Sequence, residues 1–172
     1  MKQGMGLLLL LCGLLLLLPV QAGAKDLQGM IGVGFDRQLI SGLQDSDLDG
    51  QFSVKYWPSS SYAVQGVTGW NFTDDGKDEY TLGGKFIYPF HTEEQLYLYL
   101  SGGMLFHYID PDQRDSETAV NLQPGVGVEY FFQGLPNLGI STEIGCGFYS
   151  NGDDSFYTSP STELVAGVHY YF

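Results

Sequence analysis

The chain has 172 residues and a formal net charge of −13, with 7 lysine and arginine residues against 20 aspartate and glutamate residues. This charge excludes nucleic acid as a partner, because binding of phosphates requires clustered basic side chains. Intrinsic disorder is excluded as well, since only 16% of the residues are charged and the chain combines 24 glycines with 15% aromatic residues. Glycine together with aromatic residues is typical of β-structure.

Residues 1–24 have the features of a secretory signal peptide. A short positive start precedes residues 7–20, which are almost wholly leucine, and Ala22-Gly23-Ala24 forms an A-x-A cleavage signal. The apolar run is too short for a membrane-spanning helix. We therefore expect a mature domain of residues 25–172, in which Cys146 is the one cysteine and no internal disulfide can form.

Apolar residues alternate with polar residues or glycine along eight segments of the mature chain, and such alternation predicts β-strands. The apolar positions are odd-numbered in the first segment and even-numbered in the other seven. Most segments have the 9–11 residues that a tilted strand needs to cross a bilayer. The segments cover residues 27–39, 52–57, 62–72, 80–90, 96–108, 120–132, 138–148 and 162–172.

Two kinds of barrel have alternating strands: a soluble barrel with an apolar interior, as in lipocalins, and a transmembrane barrel with an apolar exterior. The glycine-rich face would leave bare backbone on a solvated surface, but it relieves crowding inside a narrow lumen. Aromatic residues on the apolar face lie at the strand ends, which predicts two girdles around an aliphatic band. One girdle comprises Tyr56, Tyr62, Tyr88, Phe90, Tyr130, Phe132, Tyr170 and Phe172, and the other comprises Trp70, Phe72, Tyr80, Phe106, Tyr108 and Phe148. We therefore predict an all-β fold, an eight-stranded antiparallel transmembrane β-barrel.

The connections between the segments alternate between short turns and acidic stretches. Most of the acidic residues fall in residues 41–50, 73–79, 109–118 and 150–161. An antiparallel barrel places alternate connections at opposite ends, so the four acidic connections share one end. We expect these acidic loops to be extracellular and both termini of the mature chain to be periplasmic.

The C-terminal stretch Val168-His169-Tyr170-Tyr171-Phe172 ends in phenylalanine, with apolar residues alternating behind it. It resembles the assembly signal of bacterial outer-membrane proteins, carried here by Val168, Tyr170 and Phe172. With its eight segments and signal peptide, the chain is similar to the OmpA/OmpX-type small barrels over nearly its full mature length. This resemblance implies an outer-membrane location in a Gram-negative cell, contact with outer-membrane lipid and lipopolysaccharide, and insertion by the barrel-assembly machinery.

Charged residues on the predicted lumen face indicate what fills the barrel. Lys85 and Glu143 lie near mid-depth on their strands, whereas Lys55 and Glu129 lie nearer the periplasmic end. Ion pairs across so narrow a lumen predict a plug of charged side chains, and with it a structural or surface-interaction role. The alternative is a narrow pore for small solutes or ions. The charged lumen set is Asp36, Lys55, Lys85, Glu129, Glu143 and Glu163, and His107 and His169 share its face.

A second alternative is a lipid-modifying enzyme. Small barrels include lipid A deacylases, and Phe148-Tyr149-Ser150-Asn151 resembles their His-x-Ser-Asn motif, with Glu163 near the position of the acid. Phe148 replaces the histidine, however, and a serine without its base is a poor nucleophile. We therefore expect neither enzymatic activity nor a cofactor.

The stretch Asp45-Ser46-Asp47-Leu48-Asp49-Gly50 resembles the start of an EF-hand calcium loop. The twelfth position counted from Asp45 is Tyr56 rather than an acid, and the flanks predict strands, so the stretch is not an EF-hand. Asp45, Asp47 and Asp49 then lie on the first outward connection. They form either a solvated acidic loop or a weak surface site for calcium.

Overall fold

The computed structural model describes residues 25–40, 50–72, 77–111, 117–151 and 155–172. Each strand pairs with the next in antiparallel fashion, and the last strand pairs with the first, so the sheet closes into a barrel. This confirms the predicted eight-stranded antiparallel fold. None of the described residues belongs to a helix long and apolar enough to cross a bilayer. The strands are β1 (Ile31–Ile40), β2 (Gln51–Ser59), β3 (Tyr62–Phe72), β4 (Lys77–Thr92), β5 (Leu96–Pro111), β6 (Glu117–Phe132), β7 (Leu135–Asn151) and β8 (Ser155–Tyr171).

The two ends of the barrel differ in their connections. One end, termed the turn end, holds the short connections at residues 60–61, 93–95 and 133–134, together with Phe172. The opposite end, termed the acidic end, is where the strands lead into the four acidic connections. All four acidic connections therefore share one end of the barrel, as the alternation of short and acidic links predicts.

Side chains alternate between the outside and the lumen with the predicted parity. On β6, Val126 is 52% exposed whereas Glu129 is 1% exposed. Odd-numbered residues of β1 and even-numbered residues of β2–β8 point outwards, except near the turn end, where bulges shift the register so that Thr92 is buried and Leu135 is exposed. Wherever their side chains are described, the aromatic residues of the two predicted girdles lie on this outer surface, and several contact one another, as do Tyr130 and Phe132 with ring centroids 5.2 Å apart. Apolar residues thus form the exterior of the barrel.

Five strands are longer than the predicted 9–11 residues. Strands β4–β8 have 16 or 17 residues and extend into the predicted acidic connections, where for example Asp78 pairs with Asp110. The apolar pattern stops where the outward apolar band ends, but backbone hydrogen bonding continues beyond it because exposed strands still satisfy their own N–H and C=O groups. Apolar alternation therefore underestimates strand length at the acidic end.

The first strand begins at Ile31 rather than at residue 27. Residues 27–30 form a turn, in which the Met30 amide donates to the Leu27 carbonyl at 2.9 Å and the Gly29 amide donates to the Trp57 carbonyl at 2.8 Å. Gly29 has a φ of 81°, a conformation that favours glycine. This turn bends the chain across the turn end of the lumen instead of extending the strand.

The outward parity predicts the effect of placing a charge on the lipid-facing surface. We expect Val126→Arg and Ile144→Arg, at side chains 52% and 56% exposed, to lower the free energy of unfolding in lipid by about 2–4 kcal/mol. The matched control is Leu135→Arg, at an outward residue 57% exposed at the turn end, which is expected to cost about 0–1 kcal/mol. Urea unfolding in vesicles measures the differences, and unchanged stability of both mid-barrel variants would contradict the assigned faces.

Candidate functional site

The lumen is the candidate site because eight strands enclose little more than their own inward side chains. The structure places all of the charged residues of the predicted lumen set in the interior, and none is more than 9% exposed. His107 and His169 are buried there as well. The charged residues are Asp36, Lys55, Lys85, Glu129, Glu143 and Glu163.

Apolar side chains fill the turn end of the lumen. The rings of Trp57, Tyr97, Phe131 and Tyr171 contact one another in sequence, with centroids 5.6, 5.9 and 5.5 Å apart. Sequence reasoning missed this group, here termed the turn-end cluster, because it treated the odd-numbered face as polar throughout. The signal was present, since all four rings are odd-numbered residues near strand ends. The cluster consists of Leu27, Trp57, Ala63, Ile87, Tyr97, Tyr99, Phe131 and Tyr171.

Residues 25–30 cover the turn-end cluster. Leu27 is 1% exposed and packs within it. The Lys25 ammonium lies 4.7 Å from the centroid of the Phe131 ring and donates to the Pro136 carbonyl, while the Tyr97 hydroxyl donates to the Lys25 carbonyl. Partial burial lowers the pKa of Lys25, and the Glu129 carboxylate opposes this shift. The segment is therefore held in the mouth of the lumen by packing, hydrogen bonds and a cation–π contact.

A buried ion pair lies next to the turn-end cluster. Lys55 Nζ is 3.0 Å from Glu129 Oε2, and both side chains are 1% exposed. The Tyr171 hydroxyl donates to the other carboxylate oxygen, Glu129 Oε1, at 2.6 Å. Both oxygens of Glu129 thus have a donor, which a buried carboxylate requires if it is to stay charged. In the same part of the lumen, Ser53 Oγ and His169 Nε2 are 2.8 Å apart.

A second ion pair crosses the lumen nearer its middle. Lys85 Nζ is 2.9 Å from Glu143 Oε1. Asp36 accepts a hydrogen bond from Gln65 Nε2, and both buried lysines attract its carboxylate. A cavity of about 10 Å³ adjoins this group, which is about the space of one water molecule. The lumen beside Asp36 is therefore polar, with room for about one water molecule.

Glycines provide the space into which the lumen side chains project. A Cβ atom on Gly139 would lie 2.7 Å from Glu129 Oε1, and one on Gly127 would overlap the Tyr99 ring. A Cβ atom on Gly103 would lie 2.7 Å from Lys85 Cγ. Each of these glycines therefore leaves room for one particular side chain of the lumen, in keeping with the predicted role of glycine in relieving crowding.

Polar residues also line the lumen towards the acidic end. Thr81 Oγ1 and His107 Nδ1 are 3.1 Å apart, and Asn121 Nδ2 donates to Glu163 Oε1 at 3.5 Å. Among the residues that the structure describes, no three histidine, cysteine, aspartate or glutamate side chains form a group that could hold a metal by themselves. Any ion bound here would need an amide, backbone or water ligand as well.

The structure does not bring together the residues of the deacylase-like motif. Glu163 is 2% exposed in the lumen and pairs in register with Gly145. Ser150 lies five residues further along β7, and its even number places it on the outward face. Phe148, at the position of the histidine in that motif, also points outwards.

The remaining predicted sites lie at the two ends. Asp45, Asp47 and Asp49 lie outside the described residues, so the weak calcium site stays a prediction. Val168, Tyr170 and Phe172 point outwards at the turn end and are 46%, 46% and 72% exposed. Their role in assembly also stays a prediction.

Because inward glycines make room for lumen side chains, we expect two glycine-to-alanine substitutions to differ in their effect on the free energy of unfolding. Gly127→Ala should lower the free energy of unfolding by about 1–3 kcal/mol, because the methyl group overlaps the Tyr99 ring. Gly102→Ala is the control, since Gly102 faces outwards with no atom within 4 Å of an added Cβ, and should be neutral or stabilise the barrel by up to about 1 kcal/mol. Equal effects in urea unfolding would contradict the described packing of the lumen.

The chain matches no protein-family model and no curated protein. Among solved structures, it is similar to the crystal structure of the N-terminal β-barrel domain of Pseudomonas aeruginosa OprF, with a TM-score of 0.61 and 17% identity over 84% of this chain and 98% of that one. The crystal structure of Ail, the attachment invasion locus protein of Yersinia pestis, gives a TM-score of 0.44 and 16% identity over 84% of this chain and 99% of that one. The likeness to OprF concerns the fold alone: the chain has the fold of the small eight-stranded β-barrels.

Proposed function

We propose that this protein is a small barrel of the bacterial outer membrane with a structural or surface-interaction role, and that its lumen is closed to solutes. The observation that carries this proposal is the filling of the lumen by two successive layers. The turn-end cluster forms the first layer, and the ion pairs Lys55–Glu129 and Lys85–Glu143 form the second. A closed lumen leaves the outer surface and the ends of the barrel as the parts available for interaction.

The exterior supports the membrane location. Leu82, Phe35 and Trp70 are 65%, 66% and 58% exposed, and they belong to an outward face of large apolar residues. Exposed apolar surface of this extent marks a binding or membrane-contacting face. The lumen is polar in its middle, which is the reverse of a soluble barrel that encloses an apolar ligand. Outer-membrane lipid is the environment that suits this distribution.

The lengths of the connections support one orientation of the barrel across the outer membrane. Outer-membrane barrels have short periplasmic turns and longer extracellular loops, so we place the turn end in the periplasm and the acidic end outside the cell. The acidic connections would then lie beside the phosphates of lipopolysaccharide, with which they could share divalent cations. The outward aromatic residues Tyr170 and Phe172 would be accessible to the barrel-assembly machinery during insertion.

A narrow pore is the second candidate. The polar cavity beside Asp36 and Lys85 supports it, because polar side chains and a water-sized space are the beginnings of a conducting path. The turn-end cluster opposes it, since Trp57 and Phe131 are 1% and 2% exposed and Leu27 packs between such side chains. The deacylase-like alternative gains no support, because Glu163 lies in the lumen while Ser150 is on the outward face.

Single-channel recording on refolded protein in planar bilayers tests the closed lumen. We expect no conductance steps from the wild type, because both layers block the lumen. A variant that removes side chains from both layers without leaving an unpaired charge, Leu27→Ala/Trp57→Ala/Lys55→Ala/Glu129→Ala, should open steps. The matched control removes four outward side chains, Phe35→Ala/Tyr88→Ala/Val126→Ala/Phe132→Ala, and should stay silent.

Regular conductance steps from the wild type would contradict the closed lumen and favour the pore. Conductance steps from the control but not from the lumen variant would indicate that ions pass outside the lumen. Heat-dependent migration on a denaturing gel verifies that each variant has formed a closed barrel before it is recorded.

A further inference from the structure

The wall of the barrel is interrupted in the middle of β6. The ladder between β6 and β7 keeps one register over residues 119–131, but it skips Gln123 and Pro124. On its other edge, Pro124 still pairs with Gly102 of β5, so the N–H that proline lacks is the one that would point at β7. The residue opposite is Cys146, and its carbonyl therefore receives no donor from Pro124.

The same point of β7 is interrupted on its other edge. The register of β7 with β8 shifts there, because Cys146 pairs with Thr162 whereas Gly147 pairs with Ser159. Two residues of β8 are thereby left out of the ladder, and one of them is Pro160. Local opening of a fold begins where backbone hydrogen bonds are few, so this level of β7 is its weakest point. We term Gln123, Pro124, Cys146 and Gly147 the β6–β7 seam.

Few side chains reinforce the β6–β7 seam. Its inward face carries Gly125, Gly145 and Gly147, which contribute no side-chain packing between the two strands. On the outward face, Leu122 and Pro124 help to line an open apolar groove of about 640 Å³. The wall is therefore thin on both faces at the level where its ladder is interrupted.

The neighbouring ladders lack such an interruption. Strands β4 and β5 pair at every position over residues 77–89 of β4, and β5 pairs with β6 at every position over residues 96–109 of β5. The β5–β6 ladder includes Pro124 itself, so the proline weakens β6 on one edge only. The interruption is therefore a feature of the β6–β7 seam and not of the long strands in general.

We propose that β6 and β7 separate locally at the β6–β7 seam, and that this separation forms a lateral opening between lipid acyl chains and the lumen. The seam lies within the outward apolar band, since Leu122 and Val126 on either side of Pro124 are 43% and 52% exposed. In lipid no water molecule replaces a missing ladder bond, so closure of the seam gains little from the backbone. The opening towards lipid rests on the proposed membrane location, whereas the separation of the strands does not.

Amide hydrogen exchange of the barrel refolded in phosphatidylcholine vesicles tests the separation. We expect residues 119–126 and 144–150 to exchange faster than the uninterrupted ladder of β4 with β5. Pro124→Ala restores the missing N–H and should slow exchange across the seam about tenfold. Pro89→Ala is the matched control, because Pro89 lies on β4 away from the seam, and it should leave exchange at the seam unchanged. Exchange at the seam that is no faster than in β4 and β5, or that stays fast in Pro124→Ala, would overturn the proposal.

Labelling by a maleimide carried on the acyl chain of a phospholipid tests the opening towards lipid. In a Cys146→Ser background, Gln123→Cys places a thiol on the inward face next to Pro124, where the native side chain is 5% exposed. We expect slow labelling of this thiol, and we expect Pro124→Ala to suppress it. Ser53→Cys is the control, because Ser53 is 0% exposed inside β2 away from the seam, and its thiol should stay unlabelled.

Labelling of both thiols, or of neither, would overturn the lateral opening. A barrel that does not insert into the vesicles, and so shows no heat-dependent migration after their recovery, would instead contradict the proposed membrane location. Amide exchange in detergent micelles would then still test the separation of β6 from β7.

Discussion

The structure depends on the closure of a sheet of only eight strands. In lipid, each backbone N–H and C=O group needs a partner within the protein, and a closed sheet is the one β-arrangement without unpaired edges. Closure with so few strands forces every second residue into a narrow lumen. The sequence meets this constraint by placing glycine opposite large inward side chains, as Gly127 faces Tyr99 and Gly139 faces Glu129. The same positions therefore determine whether the barrel can close and what fills it.

The filling of the lumen changes along its length. Aromatic and aliphatic side chains close the turn end, together with the segment that carries Leu27. Towards the middle, the lumen holds charges that are paired and hydrogen-bonded, and removing one member of such a pair typically costs about 3–5 kcal/mol. The ion pair Lys55–Glu129 joins the two regions, since the Tyr171 hydroxyl of the turn-end cluster donates to Glu129. The lumen is thus most tightly closed at one end and more polar at the other.

Much of this arrangement could be predicted from the sequence because the side-chain period of a strand is two. Parity alone assigned Val126 to the exterior and Glu129 to the interior, and it placed all the charged lumen residues correctly by face. Which lysine contacts which carboxylate could not be derived, since that depends on the stagger between strands that are not neighbours in the chain.

Other features were missed for physical reasons. The turn-end cluster consists of apolar residues on the face that alternation defines as polar. A rule that assigns each strand one apolar and one polar face therefore does not predict Trp57 and Phe131 as an apolar group in the lumen. The pattern predicts a strand at the turn around Gly29 because its neighbours Leu27 and Ile31 continue the odd-numbered apolar alternation. The extra length of β4–β8 lies beyond the apolar band, where strand formation no longer requires alternation.

We infer that the apolar, outward-pointing side chains face lipid, while the inward-pointing side chains are sealed from both lipid and water. The two tryptophans of the chain test it directly, because Trp70 is 58% exposed on the exterior and Trp57 is 1% exposed in the lumen. The measurement is fluorescence quenching of the single-tryptophan variants Trp57→Phe and Trp70→Phe, refolded in vesicles of brominated lipid and also titrated with aqueous acrylamide. We expect strong quenching of Trp70 by brominated lipid and weak quenching of Trp57 by either agent. Strong quenching of Trp57 by acrylamide, or lipid quenching of Trp57 that equals that of Trp70, would contradict it.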